Sequence, residues 1–461
     1  MAKIKSSIIK KLKEIAGTEN VFHSDEDMEI YGYDATLIEH MPDIIVFPQC
    51  AEQVADIVKL GRKEGLPVIP RGAGTNLSGG SIPIRGGIAL ALTRMNRVLQ
   101  VDIKNSVVVV EPGVVNEELQ EILRPLGFFY PPDPASMKVS TLGGNIAECS
   151  GGPMCLKYGV TRDYVLGLEV VLGDGRIVRV GGMTQGSSQG LDLVRLLVGS
   201  EGCLAIVTKA ILRITKQPES KKTVLAIFDA VEQASCAVSK IIAKGIVPTT
   251  LELMDNLLIN CAEDHVKIGL PRDAGAMLLI EVDGFEEDLP VQVEDIIGIC
   301  LSENATDIKP ASTQEEVEKL WLARRTVIGA VARKRPNYSL QDVTVPRSEL
   351  LGMVKCVVET SKKYDLPIGV LAHAGDGNLH PLVLFDQREP GAIDKVHAAE
   401  VEMCQGALSL GGTLSGEHGI GLLKKGFFKQ GVSERTLELT RRVKEIFDPS
   451  EQINPGKILE D

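Results

Sequence analysis

The 461-residue sequence lacks several features that mark familiar protein classes. Its nine cysteines include no Cys-x-x-Cys pair, which argues against a disulfide framework and against a built-in iron–sulfur cluster. No run of about 18 apolar residues is present, so no transmembrane segment is expected. A net charge of −12 and a pI near 5.3 argue against nucleic acid as the main partner. What remains is a chain with the composition of an enzyme.

The first residues, MAKIKSSIIKKLKEIAG, are basic and carry isoleucines and a leucine at helical spacing. They lack the apolar core of a signal peptide, so we interpret them as a first helix rather than a targeting segment. Cysteines at irregular spacing are typical of reduced thiols in the cytosol. We therefore expect a cytoplasmic protein, which could be peripheral to the membrane through a partner.

The chain divides by composition into segments that predict an α+β fold. An N-terminal helical segment covers residues 1–40, and a strand-rich, glycine-dense domain covers 41–218. The polar stretch KQPESKK (216–222) marks the boundary to a second domain at 219–420. Its first elements follow the order β-α-β-β-α-β, which is the ferredoxin-like motif. A C-terminal helical segment spans 421–461.

Three loops of the first domain are rich in Gly, Ser and Thr: RGAGTNLSGG (71–80), TLGGNIAECSGG (141–152) and GSEGCLAIVT (199–208). Glycine lets backbone N–H groups approach an anion closely, and successive N–H groups form an anion-binding nest. The spacing matches neither the G-x-G-x-x-G fingerprint nor the P-loop. The loops therefore predict a site for a long diphosphate-bearing ligand, but not one of the doubly wound type.

The segment AHAGDGNLH (372–380) places two of the seven histidines around an Asp-Gly pair, which is a strong hairpin signal. With Asp376 and Gly377 at the turn, His373 is predicted to lie directly opposite His380. Opposed side chains share one face, with Cβ atoms roughly 4.5–5.5 Å apart. Two imidazoles at that distance can chelate one metal ion, although a pair of structural histidines is the alternative.

A third ligand is expected from SGEHGIG (415–421), which supplies Glu417. Two histidines and a carboxylate suit a divalent zinc, iron or manganese ion with positions open to substrate. Histidine is also suited to act as a base near neutral pH, and His418 is the candidate. In a straight strand Glu417 and His418 would point apart, but the flanking Gly416 and Gly419 allow a bend that turns both toward one cavity.

The glycine-rich loops, together with PPDPAS, the Tyr-Gly after them and the terminal NPGKI, resemble the flavoproteins with a p-cresol methylhydroxylase-type FAD domain. The resemblance runs from about residue 40 to 458. It is strongest to the FAD-linked D-2-hydroxyacid dehydrogenases, the branch with the glycolate oxidase FAD subunit and D-lactate dehydrogenases. It implies FAD contacts in three groups of residues. These are Arg71, Gly72, Ala73, Gly74, Thr75, Asn76 and Ser78; Pro132, Asp133, Thr141, Gly143, Gly144, Asn145, Ser150 and Gly151; and Glu201, Gly202, Ile206 and Asn454. Members with covalent flavin carry histidine where this chain has Thr75, so non-covalent FAD is implied.

The resemblance also implies a role for an arginine in the substrate domain. In the family, the arginine three residues after a tryptophan binds the substrate carboxylate, and this position is Arg324. The alternative is an ordinary helix salt bridge. Arg347 is a weaker second candidate, Lys138 and Asp342 are unassigned polar candidates, and Arg325 is expected to be solvated. The other histidines, His23, His40, His265 and His397, have no comparable setting.

The implied reaction is oxidation of a D-2-hydroxy acid to the 2-oxo acid, with hydride passing to the flavin. D-lactate is the favoured substrate, with glycolate and D-2-hydroxyglutarate as alternatives. Electrons are expected to go to a partner protein, either an electron-transferring flavoprotein or an iron–sulfur subunit. A metal-dependent hydrolase and a non-catalytic FAD electron-carrier subunit are the alternatives from other classes, and an ether-lipid synthase matches the FAD half alone.

Overall fold

The computed structural model describes residues 4–186 and 189–459. Its helices alternate with short strands along the whole chain. The helices are α1 (Ser6–Ala16), α2 (Asp25–Ile30), α3 (Ala51–Glu64), α4 (Asn116–Leu123), α5 (Leu142–Glu148), α6 (Cys155–Tyr158), α7 (Leu193–Leu197), α8 (Val231–Ala243), α9 (Asn256–Val266), α10 (Leu289–Ser302), α11 (Gln314–Ala330), α12 (Leu350–Tyr364), α13 (Ala392–Ser409), α14 (Lys425–Gly431) and α15 (Glu434–Phe447).

The strands confirm the prediction of a mixed α and β protein. They are β1 (Val21–Phe22), β2 (Ile44–Val46), β3 (Val68–Arg71), β4 (Ile88–Ala91), β5 (Val98–Asp102), β6 (Val107–Val110), β7 (Phe128–Phe129), β8 (Val165–Val171), β9 (Ile177–Gly181), β10 (Ile206–Arg213), β11 (Thr215–Lys216), β12 (Ser220–Phe228), β13 (Thr250–Asp255), β14 (Ala276–Gly284), β15 (Ala305–Pro310), β16 (Asn337–Leu340), β17 (Val343–Thr344), β18 (Ile368–His373) and β19 (Asn378–Phe385).

The chain forms two compact units. The first comprises residues 1–151, 159–217 and 417–461, and the second comprises 152–158 and 218–416. The sequence predicts boundaries at 40/41, 218/219 and 420/421. None of the helices in the described ranges is both long and apolar enough to cross a membrane.

The first unit contains two main sheets. One has the strand order β1-β2-β4-β3, in which β4 runs parallel to both β2 and β3. The other is antiparallel, in the order β5-β6-β10-β8-β9. Helix α1 buries Ile8 and Leu12 in a core shared with α3 and the parallel strands, as its amphipathic spacing predicts. The glycine-rich loop 71–80 leaves this core at the end of β3.

The second unit is built on a sheet in the order β15-β12-β14-β13-β18-β19-β16. The strands β12, β13, β14 and β15 follow one another in the chain but lie in the sheet in the order β15-β12-β14-β13. This 4-1-3-2 order is the ferredoxin-like arrangement that the sequence predicts. Two separate groups of buried side chains contribute to its core. Helix α11 begins with a capping box, in which Thr313 and Glu316 exchange side-chain to backbone hydrogen bonds.

One element of this unit was missed. The sequence predicts no helix between the second and third strands of the ferredoxin-like motif, β13 and β14, whereas the structure has α9 there. Asp255 caps this helix by accepting a hydrogen bond from the Leu258 amide at 3.1 Å, and Leu258, Ile259 and Ala262 are buried. The capping residue and the helical spacing of apolar residues were both available in the sequence.

Candidate functional site

A large cavity lies within the first unit. The space between its lining residues is about 1290 Å³, which includes a part that is open to solvent. All three glycine-rich loops contribute to its wall. Of the residues expected to contact FAD, those on the wall are Arg71, Gly72, Ala73, Gly74, Thr75, Asn76, Thr141, Gly143, Gly144, Asn145, Ser150, Glu201, Gly202 and Ile206.

Five other expected FAD contacts are not part of the cavity wall: Ser78, Pro132, Asp133, Gly151 and Asn454. Two of them have evident roles in building it. The side-chain amide of Asn454 donates to the carbonyls of Gly80 and Glu201, at 2.8 and 2.9 Å, and so ties the first loop to the third. The Ser78 carbonyl accepts a hydrogen bond from the Leu422 amide at 2.8 Å.

The segment Glu417–Gly421 brings two further functional candidates to the same cavity. Glu417 and His418 both lie on its wall, with the Glu417 Oε1 and His418 Nε2 atoms 3.7 Å apart. Both carboxylate oxygens of the buried Glu201 accept hydrogen bonds from this segment, from the amides of Ile420 and Gly421 at 2.7 Å each. Gly421 has φ +48°, and a Cβ there would lie 2.2 Å from the Ser78 carbonyl oxygen. Only glycine therefore allows the segment to approach the first loop so closely.

We expect Glu201→Gln to loosen the segment that carries His418. A glutamine offers one acceptor oxygen for two amides, and charge-assisted hydrogen bonds contribute about 1.5–3 kcal/mol each. Hydrogen exchange measured by mass spectrometry should show a peptide covering 417–424 exchanging about tenfold faster or more. Glu111→Gln is the matched control, because Glu111 is equally buried but pairs with Arg97. Equal exchange in the two variants would contradict this role for Glu201.

Glu148 was not identified from the sequence, although it lies inside a loop that was. It lines the cavity, and among the described residues its Oε2 atom is buried without a hydrogen-bond partner. Burial, and then the charge of the neighbouring Glu201, raises the pKa of Glu148 well above its usual range. Burial likewise raises the pKa of Glu201 to about 7, against the lowering effect of the Ile420 and Gly421 amides. Glu148 therefore keeps its proton to higher pH than an ordinary glutamate and can donate a hydrogen bond.

The second unit contains the histidine hairpin, and the predicted register is wrong. His373 pairs with Asn378 and His380 pairs with Leu371, so the turn contains the four residues 374–377 rather than Asp376 and Gly377 alone. Because side chains alternate with a period of two, the two-residue shift leaves both histidines on one face. They are diagonal neighbours, with ring centroids 5.1 Å apart and ring planes at 85°. Both are buried.

The buried Glu252 on β13 links one of these histidines to the predicted arginine. Its Oε1 lies 2.7 Å from His373 Nδ1, and its Oε2 accepts from Arg324 Nε at 2.6 Å and Nη2 at 2.5 Å. Burial raises the pKa of Glu252, but Arg324 and His373 together outweigh this and leave the pKa below its ordinary value. The sequence analysis did not identify Glu252, although a glutamate between two leucines in an apolar strand indicates a functional position.

Asp342 occupies a comparable position beside His380. It is fully buried, and its Oδ1 lies 4.0 Å from His380 Nδ1. Its carboxylate accepts from Asn378 Nδ2 at 2.6 Å, from Ser415 Oγ at 2.5 Å and from the Gly416 amide. Asp342 therefore fixes the chain immediately before Glu417.

The weaker candidates lie on the surface. Arg325 is exposed and stacks over the Trp321 ring at 5.2 Å, as expected for a solvated residue. Arg347 and Lys138 are also exposed. Of the remaining histidines, His23, His265 and His397 are exposed and His40 is half-buried.

Comparison with known proteins identifies the family. A model of the FAD-linked oxidase C-terminal domain matches residues 217–458, and a model of an FAD binding domain matches residues 42–181. The chain belongs to the FAD-linked oxidase family. The glycolate oxidase subunit GlcD of Bacillus subtilis is 43% identical to this FAD-linked oxidase, over 99% of the chain and 97% of that protein. A D-lactate dehydrogenase of Anaerostipes hadrus is 33% identical, over 99% of the chain and 98% of that protein.

Solved structures show which fold the FAD-linked oxidase adopts. A p-cresol methylhydroxylase with bound substrate matches with a TM-score of 0.81 at 17% identity, covering 99% of this chain and 97% of that one. An alkyldihydroxyacetonephosphate synthase matches with a TM-score of 0.77 at 20% identity, covering 98% and 85%. The resemblance to the p-cresol methylhydroxylase fold and to the glycolate oxidase and D-lactate dehydrogenase branch is thus confirmed.

The cavity of this oxidase suits FAD. The glycine loops bring backbone close to the cavity, and the buried Arg71 supplies a positive charge on the wall, which complements a diphosphate. The histidine pair also suits a divalent metal. Because Glu252 is an ionised acceptor, it favours a proton on His373 Nδ1, and Nε2 is then the ring nitrogen available to a metal.

Proposed function

We propose that this FAD-linked oxidase oxidises a short 2-hydroxy acid, glycolate or D-lactate, to the corresponding 2-oxo acid. The observation that carries the proposal is that His418, a potential base, lies on the wall of the cavity formed by the FAD-binding loops. The similarity to a glycolate oxidase subunit at 43% identity favours glycolate beside the D-lactate expected from the sequence, since the D-lactate dehydrogenase is 33% identical. D-2-hydroxyglutarate remains an alternative within the family.

Non-covalent FAD would occupy the cavity of the first unit, and a divalent metal would be held by His373, His380 and Glu417. When bound, the flavin supplies a hydride acceptor and the metal makes the substrate hydroxyl more acidic, an effect that can contribute several kcal/mol. Zinc, iron(II) and manganese all suit nitrogen and oxygen ligands of this kind.

The protein's own groups then have distinct tasks. His418 takes the hydroxyl proton, while the hydrogen on the substrate Cα leaves as hydride, so the acid loses two hydrogens and two electrons. Arg324 binds the substrate carboxylate. Since Nε and one hydrogen of Nη2 are used by Glu252, the substrate must be held at the Nη1 edge of the guanidinium.

The two electrons must leave this chain. Among the relatives, the Bacillus subtilis protein is named as a subunit, which supports a protein partner. We propose an electron-transferring flavoprotein or an iron–sulfur subunit as acceptor. The absence of a nicotinamide fingerprint and of a cysteine cluster in the sequence fits this assignment.

A substrate panel with the purified flavin-loaded chain tests the proposal. Anaerobic addition of glycolate or D-lactate should bleach the flavin absorbance, and an artificial dye should then be reduced in steady state. NAD⁺ should be reduced only feebly. A colourless protein, or one whose flavin no 2-hydroxy acid bleaches, would instead favour a metal-dependent hydrolase or an electron-carrier subunit.

Removal of the metal gives a separate prediction. Dialysis against a chelator should abolish dye reduction by the 2-hydroxy acid and leave the flavin bound, because His373 and His380 are not on the wall of the cavity assigned to FAD. Adding back Zn²⁺, Mn²⁺ or Fe²⁺ should restore turnover, and His380→Ala should prevent this restoration. Full activity after exhaustive chelation, with metal content checked by mass spectrometry, would exclude the metal from the reaction.

A further inference from the structure

Glu252 connects two groups to which the proposed function gives different tasks. It lies on β13 as the direct partner of His373 on β18, so the two side chains share one face of the sheet. One carboxylate oxygen contacts His373 Nδ1, and the other contacts two nitrogens of Arg324 on α11. The Glu252 side chain is only 1% exposed. Burial shields these oxygens from bulk solvent, so their three contacts fix both neighbours.

In each hydrogen bond Glu252 is the acceptor, and this determines how His373 and Arg324 can bind a ligand. A carboxylate accepts only, so it favours a proton on His373 Nδ1 and makes Nε2 the ring nitrogen that can bind a metal. On the other side, its Oε2 accepts from both Nε and Nη2 of Arg324 and restricts the guanidinium to one orientation. A single carboxylate thus sets the tautomer of a metal ligand and the angle of a substrate-binding cation.

The geometry points to Glu252 as a positioning residue that couples metal binding at His373 to carboxylate binding at Arg324. This inference rests on the proposed function of the histidine pair and of the arginine. Its role is to orient His373 and Arg324, the two residues that it contacts.

A second buried glutamate of the same sheet provides a matched control. Glu281 on the neighbouring strand β14 is also buried and also has several donors, namely Trp321 Nε1, Thr223 Oγ1 and Lys221 Nζ, at 3.2–3.3 Å. It is bonded neither to His373 nor to Arg324 in the hydrogen bonds described for it. Glu281→Gln therefore removes a buried charge without removing a contact to His373 or Arg324.

The test compares Glu252→Gln with Glu281→Gln. Glutamine has one acceptor oxygen and one donor group, so it cannot accept from both His373 Nδ1 and Arg324. We expect the affinity for Zn²⁺ and Mn²⁺, measured by equilibrium dialysis, to fall about 10–100-fold in Glu252→Gln. The KM for the 2-hydroxy acid should rise at saturating metal, because Arg324 is no longer oriented. Glu281→Gln should change metal affinity and KM less than threefold. Equal effects of the two variants would overturn the inference.

The tautomer of His373 supplies a readout that depends on neither activity nor metal. We label histidine with ¹⁵N in metal-free wild-type protein and record the His373 signal, assigned by its loss in His373→Asn, at a pH where the ring is neutral. This signal should show a protonated Nδ1 and an unprotonated Nε2. Observation of the opposite tautomer would overturn the inference even if Glu252→Gln failed to fold. Should the wild type bind no divalent metal, the proposed metal site fails, whereas the His373 tautomer still decides whether Glu252 positions the ring.

Discussion

Replacing His418 by glutamine is expected to lower kcat for the 2-hydroxy acid about 10²–10⁴-fold. Glutamine is similar in size and polar, but its amide cannot accept the hydroxyl proton near neutral pH. The FAD content should stay the same, because the cavity wall is formed mainly by the glycine-rich loops. The rate of anaerobic flavin reduction, measured by stopped flow, should fall by the same factor as kcat.

His397→Gln is the control for this variant, since His397 is an exposed histidine on α13. It should retain wild-type turnover. A His418→Gln enzyme within threefold of the wild type would exclude His418 as the base. If flavin reduction were unchanged while steady-state turnover fell, His418 would act in electron transfer to the partner instead.

Replacing Gly72 by alanine is expected to remove most of the bound FAD, at least tenfold by the ratio of flavin to protein. A Cβ at this position would lie 2.2 Å from Thr141 Oγ1, far inside a normal contact. Thr141 cannot move freely, because it is buried and its Oγ1 caps α5 by accepting from the Gly144 amide. The first two glycine-rich loops would have to separate, and both form the cavity wall.

Two further variants make this prediction specific. Gly182→Ala adds the same methyl group to the first unit where nothing lies within 4 Å, and it should bind FAD normally. Combining Gly72→Ala with Thr141→Ala removes the clashing oxygen, so part of the FAD should return, at a cost of about 1 kcal/mol for the lost cap. If the double variant held no more FAD than Gly72→Ala, contact with Thr141 would not be the cause.

Much of the fold could be predicted because its signals are local. The amphipathic α1, for example, follows from apolar residues at helical spacing within a short window. The ferredoxin-like order follows from the succession of these elements. The order β-α-β-β-α-β predicts no helix between its second and third strands, yet α9 lies there and Asp255 marks its start.

The histidine hairpin shows where local reasoning fails. The Asp-Gly pair predicted a two-residue turn, yet β18 and β19 pair with a four-residue turn. The register of a hairpin depends on both strands, and here β18 also pairs with β13 while β19 also pairs with β16. The two histidines still share a face, as predicted, only because the register differs from the prediction by an even number of residues.

The sequence by itself determined the kind of ligand and the kind of chemistry: glycine loops for a diphosphate, two nearby histidines, and a Glu-His pair between glycines. Those inferences need only residue types and short spacings. Only the tertiary structure decided that Glu201 holds the segment bearing His418, and that Glu252 lies between His373 and Arg324. These carboxylates act on residues 70 to more than 200 positions away in the chain, and such pairings are set by how strands and helices pack, which no local pattern encodes.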